Sequence, residues 1–498
     1  MRDTTTAVVV GSGPNGLAAA VALARHGVAV TVLEAADRIG GGTRTSENPV
    51  TGTLDDECSA VHPMAALSPF LRGLRLERHG LEWCHPEVLV AHPLDDGTAG
   101  VLHRSLDETA AGLSHQDGRR WRKLFSPLVE RLDETAPDLL GPLLRRPARP
   151  LHLARFGLRA LPPANLLRRA WTEPAPQSLF LGIAAHVMHD LDHPLTSSVG
   201  ALLIAAGHHV GWPVAKGGSR SITDALALLL AELGGTVVTS HPVTSTADLP
   251  PSDLLLLDTS PSGAAAILGD RLPPRVRRAY RRWRHGPGAF KVDFTVRGGV
   301  PWTAPACRRA GTVHLGGSPD EIVATAGEVH RGTLPDRPFV LVGQQYLADP
   351  GRSAGDLHPV WAYAHVPHGC ADDATRRIVD QVERFAPGFS TRIVTRTSKS
   401  THELSATNPN RIGGDILTGA NSPWQIVARP RLTPNPYRTG VPGVYLCSAA
   451  TPPGAGVHGM NGHHAAELAW ADHLKGVRVV VPARRSRRPA PRPGGGTP

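Results

Sequence analysis

The chain has 498 residues, too many for one small core and enough for about two to four domains. Apolar residues make up 41% of it and charged residues 19%, a composition that excludes an intrinsically disordered chain. The formal charge is +10, but five arginines within residues 484–492 carry half of that excess and aromatics are only 5%, so nucleic acid is not an expected partner.

The five cysteines, at 58, 84, 307, 370 and 447, show no paired spacing, so neither a zinc site nor a disulfide framework is expected. The first apolar run already belongs to a glycine-loop strand, and no run reaches about 18 residues. No leader peptide and no membrane span are expected, and a cytoplasmic location is the default.

Residues 7–10 are four apolar residues that read as a buried strand. Gly11, Gly13 and Gly16 follow in the order G-x-G-x-x-G, with Ser12, Pro14 and Asn15 between them. Residues 17–25 read as a helix, and a second strand over 28–33 stops at Glu34. This order predicts a dinucleotide site. Gly11 permits the tight turn, Gly13 the approach of a pyrophosphate and Gly16 the close packing of helix on strand. Glu34 can accept hydrogen bonds from an adenosine ribose and disfavours a 2′-phosphate, which suits FAD or NAD better than NADP.

Ala35 leads into Arg38, Gly40, Gly41, Gly42, Thr43 and Arg44, a backbone-rich loop expected along the pyrophosphate and flavin, with Arg38 or Arg44 offering a guanidinium to phosphate. Cys58 and His62 lie in a mixed stretch that follows. Residues 119–132 read as a helix with Trp121, Phe125 and Leu128 on one face. Residues 139–171 are rich in leucine, proline and arginine and contain no acid. They could form a lid, a basic amphipathic patch on an anionic membrane, or an ordinary solvated surface.

Gly217 and Gly218 form a second exposed loop before a helix that Ser221 is expected to cap, with Asp224 completing a capping box. Short strands are expected at 236–239 and 254–257, with Val243 after the turn at Pro242. Residues 290–297 alternate as a strand, with Lys291 and Asp293 opposite Phe290 and Val292. Further strands are expected at 312–315, 339–344 and 360–366, and a helix at 372–385. The last folded block runs from a strand at 444–447 through Ala449, Gly454, Gly456, Val457, His458 and Met460 into a helix over 463–474. It could close the site from the far end of the chain.

With its three glycine loops, the sequence resembles the phytoene dehydrogenase-like FAD-dependent oxidoreductases of the flavin amine oxidase superfamily. It is most similar to their branch of pyridine nucleotide-disulfide oxidoreductase domain-containing proteins. The resemblance rests on residues 11–16 with Glu34 and 38–44, on 217–219 with Val243, and on 441–460. It implies an α/β fold: a discontinuous Rossmann-like FAD-binding domain over 1–90, 206–270 and 400–481, and an inserted α+β substrate domain over 91–205 and 271–399 on a mixed or antiparallel sheet. Residues 482–498 read as a disordered basic tail. By this likeness Val243 contacts the adenine side through its backbone, and residues 456–460 lie against the isoalloxazine. An Asp common near the start of the last loop in the wider superfamily is replaced here by Ser448-Ala449-Ala450.

The implied chemistry is hydride transfer from a largely apolar or amphipathic small molecule to flavin N5, by a dehydrogenase, desaturase or oxidase. An isomerase without net redox and a non-catalytic binding protein are the alternatives. No catalytic residue is singled out. His62, His314, His365, His402 and His458 are candidate bases. Lys216 and Lys291 stand out because lysine is scarce, and Trp302, Trp361 and Trp424 could wall a pocket. The electron acceptor is left open, and the resemblance permits peripheral membrane contact.

Overall fold

A computed structural model describes residues 4–478. The expected tail at 482–498 lies outside the described residues. Two sheets organise the chain. The first has five parallel strands in the order Val444–Leu446, Leu254–Leu257, Thr6–Val10, Ala29–Leu33 and Thr236–Val238. Its central strand pairs residue for residue with both neighbours, Val9 lying opposite Leu256 on one side and Val32 on the other. Strands buried on both faces need the continuous apolar runs seen here. This is the Rossmann-like, discontinuous sheet that the sequence implied.

Helices cover it. Pro14–Ala24 is buried from Gly16 onward, and the C-terminal helix Met460–His473 lies across it. The crossing is close because both contact points are glycines. A Cβ on Gly462 would stand 1.9 Å from the Asn15 carbonyl oxygen, and one on Gly459 2.9 Å from the Ala18 Cβ. The last helix is thereby locked onto the first.

The second sheet has seven strands in the order Ile393–Lys399, Gly288–Arg297, Leu357–Val366, Val340–Gly343, Ala310–Leu315, Val88–Pro93 and Ala99–Leu102. It is antiparallel except where Ala310–Leu315 runs beside Val88–Pro93. Phe290, Val292, Phe294 and Val296 enter one core, as their alternation predicts. The opposite face is buried too, and Lys291 is only 3% exposed. The expected domain break between residues 90 and 91 falls inside the strand Val88–Pro93, which belongs wholly to this sheet.

The helix after the middle glycine pair starts two residues earlier than a cap at Ser221 would place it. It spans Arg220–Glu232 and has no side-chain cap. The Ser221 hydroxyl donates backwards to the Lys216 carbonyl, so Ser221 and Asp224 form no capping box. Distant contacts fix the start instead: the Ser219 amide donates to Asp56 and the Arg220 amide to the Thr45 hydroxyl.

Candidate functional site

The carboxyl end of the parallel sheet carries the glycine cradle. Gly11 turns at φ +101, in the left-handed region that glycine tolerates, and its amide donates to Leu33. A Cβ on Gly16 would meet the Gly11 carbonyl oxygen at 2.0 Å, and one on Gly41 would meet the Gly13 Cα at 3.1 Å. Two glycine loops are therefore in contact, and the Gly40 amide donates to the Ser12 carbonyl between them. Pro14 opens the helix, and its first turn holds no acid. Free amides and a positive helix end face the same space, which suits an anion. The Asn15 Oδ1 is buried there without a partner.

Glu34 stands at the strand end, buried and already engaged. Its carboxylate accepts from the Ser12 amide at 2.9 Å, the Ser12 hydroxyl at 2.6 Å and the Ala36 amide at 2.9 Å. Arg44 closes on it at 3.2 Å and also donates to the carbonyls of Arg38 and Ile39. Arg44 thus orients Glu34. Arg38 reaches outward to Glu57. Neither guanidinium meets the free amides of the cradle, because a nearer acid takes each. Ala35 is exposed, and the Thr43 hydroxyl is turned to the Gly40 carbonyl.

Two groups at this cradle escaped the sequence reading. Arg411 is 5% exposed, and its Nη2 lies 3.7 Å from where a Gly42 Cβ would stand. It is the cation that faces the glycine loops. Asp258, at the end of the strand Leu254–Leu257, accepts from the Gly16 amide at 2.9 Å. Burial, with the Glu34 charge nearby, pushes its carboxyl up to about 7. The pairing of Leu254–Leu257 with the first strand places Asp258, and a strand ending in an acid beside a G-x-G-x-x-G strand was the available signal.

The middle glycines lie elsewhere. A Gly218 Cβ would collide with Thr45 at 2.4 Å, and the Gly217 amide donates to Asp349. They brace the segment behind the loop at 41–44. Val243 packs on the cluster of Val8, Val10 and Leu33, while the neighbouring amides of Ser240 and His241 donate to the carbonyls of Ala36 and Glu34.

Beyond the cradle opens a cavity of about 530 Å³. Cys58 and Met64 form one wall, Trp361 and Tyr363 from the second sheet another, and the loop through Gly456, Val457 and His458 a third. Leu202, Leu203 and Trp212 line it from the side of the helix Ser197–Val210, and Phe156 and Ala160 from the helix Pro150–Ala160. Among the described residues no Asp, Glu or Lys lines it, and Arg429 is the one permanently charged residue that does. Val457 sits at φ +55, an uncommon conformation for a β-branched residue. Ala449 is half-buried behind this loop, and Met460 donates its amide to the His458 Nδ1.

Of the three tryptophans expected at a pocket, Trp361 lines it, Trp302 is buried away from it and Trp424 is 65% exposed. Trp212 was missed. The candidate bases scatter. His458 lines the cavity, as does His186, which was not among the candidates, and burial holds both down at about 4. His62 is also held near 4 and is locked behind the wall by Ser219 at 2.8 Å. His314 and His365 are buried off the cavity with pKa values lowered by burial, and His402 is exposed. Lys216 is exposed and paired with Glu82, and Lys291 is paired with Asp293.

A discontinuous parallel sheet, a double glycine loop and an apolar cavity between two sheets define an α/β protein of the dinucleotide-binding, flavin-oxidase fold. Residues 9–74 match the NAD(P)-binding Rossmann-like domain. Along nearly its whole length the chain is similar to two curated proteins. It is 26% identical to pyridine nucleotide-disulfide oxidoreductase domain-containing protein 2 of Rattus norvegicus, covering 94% of this chain and 93% of that one. It is also 26% identical to hydroxyneurosporene desaturase of Cereibacter sphaeroides, with 93% and 97% covered. Among solved structures, putrescine oxidase bound to putrescine superposes with a TM-score of 0.58 at 18% identity, over 95% of this chain and 99% of that one. The CLA-producing fatty acid isomerase from P. acnes superposes at 0.56 and 14% identity, over 95% and 99%. Among the described residues no helix is long and apolar enough to cross a membrane.

Proposed function

We propose that the protein is an FAD-dependent dehydrogenase, desaturase or oxidase of a largely apolar small molecule. The observation that carries this reading is the shared wall: the loop through Gly456 and His458 bounds the apolar cavity, and the helix that follows it is locked onto the glycine-loop helix. One end of the site suits a dinucleotide and the other an apolar substrate. The residues fit FAD on grounds internal to the chain. The cradle offers free amides, an orphaned Asn15 Oδ1, an oriented Glu34 and the Arg411 cation.

Bound FAD supplies the hydride acceptor. The chain's own residues bind, orient and exclude water. The cavity walls desolvate the substrate and narrow its positions. His186 and His458 are neutral at pH 7 and too weakly basic to hold a proton there, which favours substrates whose C–H bond is activated by a neighbouring double bond over alcohols needing a base. The absence of a lining carboxylate disfavours a cationic amine.

An isomerase reading has one observation on its side, the likeness of fold to a fatty acid isomerase. Product mass separates the two, since an isomer keeps the substrate mass and a desaturated product loses two hydrogens. The first test is the visible spectrum of the purified protein with identification of the chromophore released on denaturation. Released FAD, followed by bleaching under anaerobic substrate screening, is the expected result. A colourless protein that fails to take up added FAD overturns the proposal.

A further inference from the structure

Among the described residues Arg429 is a buried cation without an ion-pair partner. It is 4% exposed and forms part of the cavity wall. Its Nε donates to the Gln425 carbonyl at 3.2 Å and its Nη2 to the Asn421 Oδ1 at 2.8 Å. Its guanidinium carbon lies 5.9 Å from the Trp283 ring centroid. These contacts fix the plane of the guanidinium and leave Nη1 beside Gly454, where a Cβ would stand 2.0 Å away. Glycine at 454 lets the guanidinium pack this close to the loop that lines the cavity.

None of these partners carries a charge. Among the described residues no carboxylate lies within ion-pair distance of Arg429. The acid nearest in effect is Asp415, whose oxygens accept from the His285 ring at 3.0 Å, the Gly286 amide at 3.1 Å and the Leu417 amide at 2.8 Å. Burial lowers the Arg429 pKa to about 10, which leaves it protonated at pH 7. A desolvated charge is costly unless it is both paired and hydrogen-bonded, and Arg429 has the hydrogen bonds without the pair.

We propose that Arg429 is the anchor for the carboxylate of an amphipathic acid whose hydrocarbon chain fills the apolar cavity. This deepens the proposed function and rests on the cavity being the substrate site. The single positive charge selects the single negative charge of a carboxylate over a phosphate dianion, for which no second Lys or Arg lines the cavity among the described residues. A guanidinium held in plane by Gln425 and Asn421 is oriented for a planar acceptor. The hydrocarbon has Leu202, Leu203, Phe156 and Met64 to lie against.

The test titrates the full-length protein, with its cofactor content recorded, with oleate and with methyl oleate by calorimetry. Oleate is expected to bind about tenfold or more tightly than its ester. In Arg429→Met the two affinities become equal, and in Arg429→Lys part of the preference returns. Equal affinities in the unaltered protein overturn the proposal, even if Arg429→Met fails to fold. So does a preference that survives in a folded Arg429→Met, or a variant that shifts the flavin spectrum while the oleate preference stays. The readout is binding, so the two readings fail separately. A colourless protein that still prefers oleate keeps the anchor and loses the oxidoreductase, and a flavoprotein without preference does the reverse.

Discussion

At the glycine cradle an added methyl group meets backbone: the Gly11 carbonyl at Gly16, the Gly13 Cα at Gly41, the Asn15 carbonyl at Gly462. At the cavity the walls are side chains of leucine, methionine and phenylalanine, which shift rotamers at modest cost. The cradle is made of parts that cannot move and suits a constant group. The cavity is made of parts that can, and suits a substrate that differs among relatives sharing the fold. Each half can be disturbed without the other.

The largest effect is expected at the cradle. Gly16→Ala places a Cβ 2.0 Å from a carbonyl oxygen that has nowhere to go. A loss of about 3 kcal/mol or more is expected in chemical denaturation, together with loss of bound flavin, while a cavity substitution such as Leu203→Ala keeps its flavin. Flavin absorbance per chain reads the contrast.

Asp258 sharpens the comparison by pH. Its carboxyl holds a proton to about pH 7 when folded and releases it near 4 when unfolded. The folded state therefore binds the proton more tightly, and stability falls as pH rises from about 4 to about 7. Asp258→Asn should remove that fall, stabilising the protein by on the order of 2 kcal/mol at pH 8 and little at pH 4. Melting curves at the two pH values check it. Above pH 7 the ionised carboxylate also opposes a pyrophosphate at the Gly16 amide, so FAD retention should weaken from pH 6 to pH 8 in the unaltered protein and not in the variant.

Val457 stands where the two halves meet. Relief of its left-handed conformation in Val457→Gly should stabilise the fold by about 1 kcal/mol and blur the cavity, seen as a raised melting temperature with slower flavin bleaching.

The smallest effect on stability lies at the cavity mouth. The helix Pro150–Ala160 presents Phe156 and Ala160 inward and Leu151 and Leu158 outward at 75% and 72% exposure. Arg146, Arg149, Arg155 and Arg169 are exposed on and around the same acid-free stretch. If this face meets an anionic lipid surface, that surface is a route for an apolar substrate. The pair Leu151→Ser and Leu158→Ser should change stability by less than about 0.5 kcal/mol. It should abolish cosedimentation with phosphatidylglycerol vesicles and leave flavin content intact. Cosedimentation that persists in the double variant refutes the contact.

Legibility followed distance along the chain. The strand, loop, helix and strand through Glu34 were readable because every partner lies within a short span. Trp361 and the alternating face of Gly288–Arg297 were readable from period alone. Arg411 and Asp258 were not, since they reach Gly42 and Gly16 across hundreds of residues. Where Arg38 and Arg44 point was hidden for the same reason: Glu57 and the geometry of Glu34 decide it. Ser221 misled because Ser219 and Arg220, held by Asp56 and Thr45, set the helix start.

The lock between Gly462 and Asn15 has a consequence for the order of folding. It joins two helices that are far apart in the chain, and the parallel sheet beneath them is completed only when equally distant strands have met. Contacts of long sequence separation form slowly, whereas the antiparallel pair Val88–Pro93 and Ala99–Leu102 is built from neighbours in the chain. The cradle is therefore expected to close after such hairpins have formed.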